Sequence, residues 1–185
     1  MIFTPLHLPG AFVIEMQKIE DERGFFARSW CAREADAQGL VPGIAQCNVS
    51  FNINRGTIRG IHFQTAPRAE AKLVRCTRGS LFDVAVDLRT HSATFLKWVG
   101  VELTQDNGKM LYLPKGFGHG FQTLMDETEI FYQMSEFYEP GASRGVRWND
   151  PLLQIQWPLP VAAISEKDRT YPDARREQFW EEPTV

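Results

Sequence analysis

The chain contains four histidines, His7, His62, His91 and His119, and histidine is the side chain best suited to moving a proton near neutral pH. His7 lies in a loose N-terminal stretch and His91 in a Thr90-His91-Ser92 turn, so neither is expected to take part in chemistry. His62 and His119 stand in glycine-flanked runs, Arg59-Gly60-Ile61-His62-Phe63-Gln64 and Gly116-Phe117-Gly118-His119-Gly120-Phe121. Glycine inside a strand marks a bulge or the close approach of a ligand. Spacing alone leaves two readings: hydrogen-bonded core histidines, or a proton-handling site. A metal is not expected. Phe63 and Gln64 follow His62, so there is no His-x-His pair, and two histidines with a distant acid make a poor ligand set.

Other polar residues stand on strands that otherwise look apolar. Lys72 shares one strand face with Val74 and Cys76. A lysine facing a barrel interior must be paired or must serve an anion, and Asp83 on the next strand is a candidate partner; a solvated face is the alternative. Tyr132, in Glu129-Ile130-Phe131-Tyr132-Gln133, reads equally as a core aromatic. Arg23, Arg28 and Arg59 suit phosphate, which the planar guanidinium fork grips well. Strict alternation puts Arg59 and His62 on opposite faces; if both serve one site, Gly60 must mark a bulge. Asp168, in Ser165-Glu166-Lys167-Asp168, has the look of a helix N-terminal cap box.

The elements that would carry these residues are mostly strands. Residues 72–88 read as a hairpin around Arg78-Gly79, with the second strand alternating Phe82, Val84, Val86 and Leu88 against Leu81, Asp83, Ala85 and Asp87. Further strands are expected near 11–17, 24–29, 46–51, 57–64, 97–104, 110–113, 119–124 and 128–137, separated by Asn-, Gly- and Pro-rich turns. One helix is expected at about 29–38, capped by Ser29 and ended by Gly39, and another short one after Ile164. Many short strands and little helix predict an all-β sandwich or barrel. With no repeat or linker, residues 1–185 are expected to form one domain.

Composition narrows the function classes. A formal charge of −3 gives no basic stripe for nucleic acid, and no run approaches the length of a membrane span. Cys31, Cys47 and Cys76 are scattered and odd in number, which suits a reducing cytoplasm. The start, MIFTPLHLPG, lacks the basic-then-apolar pattern of a signal peptide, so the expected location is cytoplasmic.

In order along the chain stand Asp21-Glu22-Arg23-Gly24-Phe25-Phe26, Gln46 and Asn48, Gly56, Arg59-Gly60-Ile61-His62-Phe63-Gln64 and Lys72-Leu73-Val74. Phe82-Asp83-Val84-Ala85-Val86-Asp87, Pro114-x-Gly116-Phe117-x-His119-Gly120-Phe121, Trp148-Asn149-Asp150-Pro151 and Ser165-x-Lys167-Asp168 follow. Together they resemble the dTDP-4-dehydrorhamnose 3,5-epimerase family. The resemblance implies a cupin jelly-roll barrel with a few short peripheral helices. It also implies no cofactor or catalytic metal, and a homodimer that exchanges N-terminal strands. The implied reaction epimerises carbons 3 and 5 of a nucleotide-linked 4-keto-6-deoxyhexose. By resemblance His62 is the base, Asp168 its orienting partner, Tyr132 the acid and Lys72 the enolate stabiliser. Arg23, Phe26, Gln46, Asn48, Arg59 and His119 would hold the nucleotide sugar, some of them across the dimer.

Three departures fall on binding rather than chemistry. The family usually has an acid at position 28, aspartate at 47 and an acid just after Pro140, where this chain has Arg28, Cys47 and Gly141-Ala142-Ser143-Arg144. Rival readings are an epimerase acting at one carbon or on another nucleotide sugar such as a CDP-linked one, a noncatalytic sugar-nucleotide binding cupin, and a metal-dependent oxygenase on the same barrel. The last is disfavoured by its missing ligands.

Overall fold

A computed structural model describes residues 1–179 of the 185. The strands run β1 (Ile2–Pro5), β2 (Phe12–Glu15), β3 (Lys18–Asp21), β4 (Gly24–Ala27), β5 (Gln46–Asn52), β6 (Thr57–Gln64) and β7 (Lys72–Arg78). They continue as β8 (Ser80–Asp87), β9 (Trp98–Thr104), β10 (Lys109–Leu113), β11 (Phe117–Thr123), β12 (Thr128–Met134), β13 (Ser143–Gly145) and β14 (Ala163–Ile164). Two short α-helices, α1 (Ala32–Asp36) and α2 (Glu166–Arg169), and one 3₁₀ turn at Arg176–Gln178 complete the described elements.

Two sheets face each other, in the order β1-β2-β10-β7-β12-β5 and β13-β6-β11-β8-β9, with β14 added parallel to β6. Strand alternation sends Val74 and Cys76 of β7, Leu111 and Leu113 of β10, and Ile130 of β12 inward. They meet Leu81 and Ala85 of β8, Leu103 of β9, and Phe117 and Phe121 of β11. This dry half of the barrel is the core. The outer face of the second sheet is also covered: Ile61, Phe63, Val84 and Val86 pack against Val146, Leu153, Ile155 and Phe179 from the C-terminal segment. The fold is therefore the expected all-β cupin jelly roll with short peripheral helices.

Three expectations need correction. The first helix begins at Ala32, not Ser29, and its N-cap Cys31 makes no side-chain cap bond. Trp30 packs on the cluster that contains Ala71, Leu73 and Tyr112, and Ser29 and Trp30 stay outside the helix. The helix also ends earlier than expected, at Asp36 with Ala37 as its C-cap; Gly39, at φ +71, closes the turn that follows, where Leu40 N–H donates back to Ala35 O. The N-terminal stretch around His7 is also more ordered than expected, since Ile2–Pro5 pairs with Phe12–Glu15 as an outer strand. Finally, β3 and β4 pair only with each other, a hairpin standing off both sheets and exposing Ile19, Phe25 and Phe26.

Candidate active site

The barrel's wet half is a cavity of about 350 Å³ whose walls come from both sheets. Arg59, His62 and Gln64 of β6 and His119 of β11 line one side; Lys72 of β7 and Tyr132 of β12 line the other.

Arg59 and His62 reach it together because β6 carries one extra residue. His62 pairs with His119 and Arg59 with Phe121, so three steps along β6 match two along β11. The irregularity centres on Gly60, whose φ is +119. A Cβ there would stand 2.5 Å from the Gly120 Cα, so only glycine lets the strands close. The bulge predicted for a shared site is present.

Asp168 is brought to His62 from 106 residues away. β14 lies parallel to Thr57 and Ile58, which sets the following turn beside Gly60. Ser165 caps α2 by accepting from the Asp168 N–H at 3.1 Å, as the cap-box reading predicted. The same turn aims the Asp168 carboxylate at the barrel, where Oδ1 lies 2.6 Å from His62 Nε2 and Oδ2 accepts from Gly60 N–H at 3.2 Å. Cap and histidine partner, Ser165 and Asp168, share one turn. Burial pushes the Asp168 carboxyl up, but bonds from His62, Gly60 and Ser165 together with the charge of His62 outweigh this and hold it below its ordinary value. An ionised carboxylate only accepts, so Nε2 carries the proton and Nδ1 is left with the lone pair.

Tyr132, half-buried on the opposite sheet, packs against the core and also lines the cavity. Burial raises its phenol above the ordinary range, against a smaller opposing pull from Ser50 and Arg59, and keeps it protonated. His119 is buried and forms a second histidine–carboxylate pair, Nε2 to Asp83 Oδ1 at 2.7 Å. Its ring stands 6.3 Å from that of Tyr132.

Asp83 is therefore not the ion-pair partner of Lys72. That partner is Glu70, at 2.9 Å, because two residues along an extended segment return to the same face while Asp83 is taken by His119. The solvated-face alternative for Lys72 also falls, since its side chain is 10% exposed. Arg59 lines the cavity and donates from Nε to Asn52 Oδ1 at 2.8 Å. Gln46 and Asn48 are not among the residues that line the cavity; they stand on β5, opposite Met134 and Tyr132, and both amides donate to the Met134 sulfur. Gln46 Oε1 also accepts from Tyr138 N–H, tying down the loop after β12.

Arg23 and Phe26 are not brought to the cavity within this subunit. Phe26 is 74% exposed on the β3–β4 hairpin, and Arg23 turns back onto Asp21. Arg28 pairs with Glu34 at 2.7 Å on the surface, Cys47 is exposed, and Ser143 lines the cavity. His7 and His91 are both exposed. Reasoning from sequence missed Glu70, Tyr138 and Lys167, all in the cavity wall. Lys167 had a signal, its place beside Asp168 in Ser165-x-Lys167-Asp168. Among the described residues no group of three or more histidine, cysteine or acidic side chains is placed to hold a metal, and no helix is long and apolar enough to cross a membrane.

Known proteins share this fold and much of this sequence. The family model described as dTDP-4-dehydrorhamnose 3,5-epimerase matches residues 5–176. The chain belongs to that family. A dTDP-4-dehydrorhamnose 3,5-epimerase of Sinorhizobium fredii is 44% identical over 177 residues, 93% of this chain and 89% of that protein. Among solved structures, the Legionella pneumophila dTDP-6-deoxy-D-glucose-3,5-epimerase in complex with dTDP-4-keto-L-rhamnose superposes with a TM-score of 0.91 at 33% identity, covering 99% of both chains. The Bacillus anthracis dTDP-4-dehydrorhamnose 3,5-epimerase with TDP and PPi bound gives 0.90 at 39% identity, covering 94% of this chain and 99% of that one. The chain is thus an isomerase of the epimerase type.

Proposed function

We propose that this enzyme inverts carbons 3 and 5 of a dTDP-linked 4-keto-6-deoxyhexose, converting dTDP-4-dehydro-6-deoxy-D-glucose to dTDP-4-dehydro-L-rhamnose. One observation carries the reading: a carboxylate-backed histidine with a free lone pair and a half-buried, protonated tyrosine line opposite walls of one cavity.

A proton next to a ketone is weakly acidic, and its removal needs a base and a group to hold the enolate oxygen. His62 takes the proton, and the imidazolium that forms is stabilised by Asp168 at 2.6 Å. The electron pair moves onto the ketone oxygen, where the Lys72 ammonium meets it. Tyr132, from the opposite sheet, returns a proton to the other side of the ring, which inverts the carbon. The second carbon flanks the same ketone, so the same groups serve it once the ring shifts and solvent has taken the proton from His62 and returned one to Tyr132. No electrons leave the substrate, so the chemistry calls for no redox cofactor, and the base needs no metal.

In this reading Arg59, His119, Gln46 and Asn48 bind the nucleotide sugar. Arg23 and Phe26 belong to the site of a second copy: the hairpin that carries them exposes Ile19, Phe25 and Phe26, and the outer face of β5 exposes Val49 and Phe51. The working unit is then a homodimer that exchanges this N-terminal segment, with residues 1–185 acting as one domain. We place it in the cytoplasm, which suits three cysteines without a disulfide.

Solvent deuterium incorporation into dTDP-4-keto-6-deoxyglucose, followed by NMR, tests the assignment. Label at both carbons 3 and 5 is expected; label at one carbon narrows the reaction, and no label with any dTDP- or CDP-linked 4-keto sugar refutes it. His62→Ala is expected to abolish exchange while leaving nucleotide binding largely intact.

A further inference from the structure

Glu70 is a buried acid beside the cavity for which the reaction as described has no use. Its side chain is 4% exposed, and Oε2 finds no hydrogen-bond donor among the described residues. Its other oxygen lies 2.9 Å from Lys72 Nζ. A buried ion pair is a poor source of stability, because desolvating both charges offsets most of their attraction. What such a pair does supply is a defined position for each charge.

Lys72 needs that definition. Its stem has four rotatable carbons, and the head is a point charge without the built-in geometry of arginine. An ammonium has three N–H bonds to place. One goes to Glu70 and one to the His62 backbone carbonyl at 3.4 Å, which leaves the third for an oxygen in the cavity. Glu70 is itself held, because Ala71 N–H donates to Ser135 Oγ at 2.8 Å and Ser135 N–H donates to Ala71 O at 3.0 Å. Asp83, the other acid close enough for the Lys72 charge to act on it, is bonded to His119 and offers no substitute.

We propose that Glu70 is a positioning residue that clamps the Lys72 ammonium against the His62 carbonyl, so that its remaining N–H meets the enolate oxygen. The inference rests on the epimerase reading, and its test separates the two. Glu70→Leu and Glu70→Gln are compared with the parent enzyme by solvent deuterium exchange and by acetic anhydride labelling of Lys72 read by mass spectrometry. Glu70→Leu should lower kcat about a hundredfold, as expected when one enolate donor is lost, with KM within about twofold, since ground-state binding is untouched. Glu70→Gln keeps an acceptor for Lys72 and should recover kcat to within about tenfold of the parent. It also guards against a folding defect in the leucine variant. Lys72 labelling should quicken at least about fivefold in Glu70→Leu, because the clamped amine is freed.

A Glu70→Leu enzyme within about threefold of the parent kcat would overturn the clamp, as would an unchanged labelling rate. Equal losses in the leucine and glutamine variants would also overturn it, since they would assign Glu70 a direct part in proton transfer. A parent enzyme without exchange would sink the epimerase reading, and the labelling result alone would then decide the clamp.

Discussion

Replacing Asp168 by asparagine keeps the size and shape of a side chain that is 3% exposed, and changes only its charge and the identity of one atom. The structure sets which way the new amide must turn. Gly60 N–H points at Oδ2 from 3.2 Å and needs an acceptor, so the amide oxygen takes that place and the NH₂ faces His62 Nε2. Nε2 must then accept, and the ring proton moves to Nδ1, the nitrogen whose lone pair does the work. The base is lost without any atom moving far. The charge-assisted bond that would stabilise the imidazolium, worth about 1.5–3 kcal/mol, is lost as well. The same carboxylate-to-amide change in a serine protease triad lowers kcat about 10⁴-fold through the wrong tautomer. We therefore expect Asp168→Asn to lower kcat for deuterium exchange by about 10³–10⁴-fold, or about 4–5.5 kcal/mol in barrier, with KM little changed. NMR of solvent exchange at carbons 3 and 5 reads the rate. A variant within about tenfold of the parent would refute the tautomer argument and with it the role of the Gly60 N–H.

Tyr132→Phe removes the acid but not the base, so loss of inverted product should exceed loss of exchange; equal losses, measured on one NMR sample, would count against Tyr132 as proton donor. Gly60→Ala would push a Cβ to within 2.5 Å of the Gly120 Cα at φ +119, and should cost about 3 kcal/mol or more, a Tm drop of roughly 6–12 °C by calorimetry. Asp168 is held below its ordinary value of 3.8, so its contribution to stability is present above that pH and disappears as pH falls through the lower folded-state value. The gap in urea midpoint between parent and Asp168→Asn should accordingly shrink below about pH 4. Val49→Asp places a charge on the exposed face of β5 at which the proposed homodimer would meet, and should lower the mass read by light scattering toward that of a monomer; a dimeric mass left unchanged would move the interface elsewhere, and a monomeric parent would refute the proposed dimer.

Much of this was legible in the sequence, because strand alternation is a local rule. The period-2 pattern at 81–88 separated the two faces of β8, though not which of them turns inward, since both are buried; the same rule put Lys72 beside Val74 and Cys76. Glycines around His62 marked the bulge, and Gly39 marked the turn after the first helix. The ordered motifs supplied the family and the residues to watch. What local rules do not contain is which strand lies beside which. Asp83 was one turn away from Lys72 in a hairpin, yet the β8–β11 register gave it to His119, and Lys72 took Glu70 instead. Asp168 stood in a helix-start motif that Ser165 does cap; only the parallel pairing of β14 with β6 made Asp168 also the partner of His62. The sequence by itself determined the strand faces, the turns and the list of reactive side chains, since these follow from backbone geometry within a few residues. The tertiary structure alone decided their pairings, because a hydrogen bond across 106 residues depends on the register of two sheets that no short window contains.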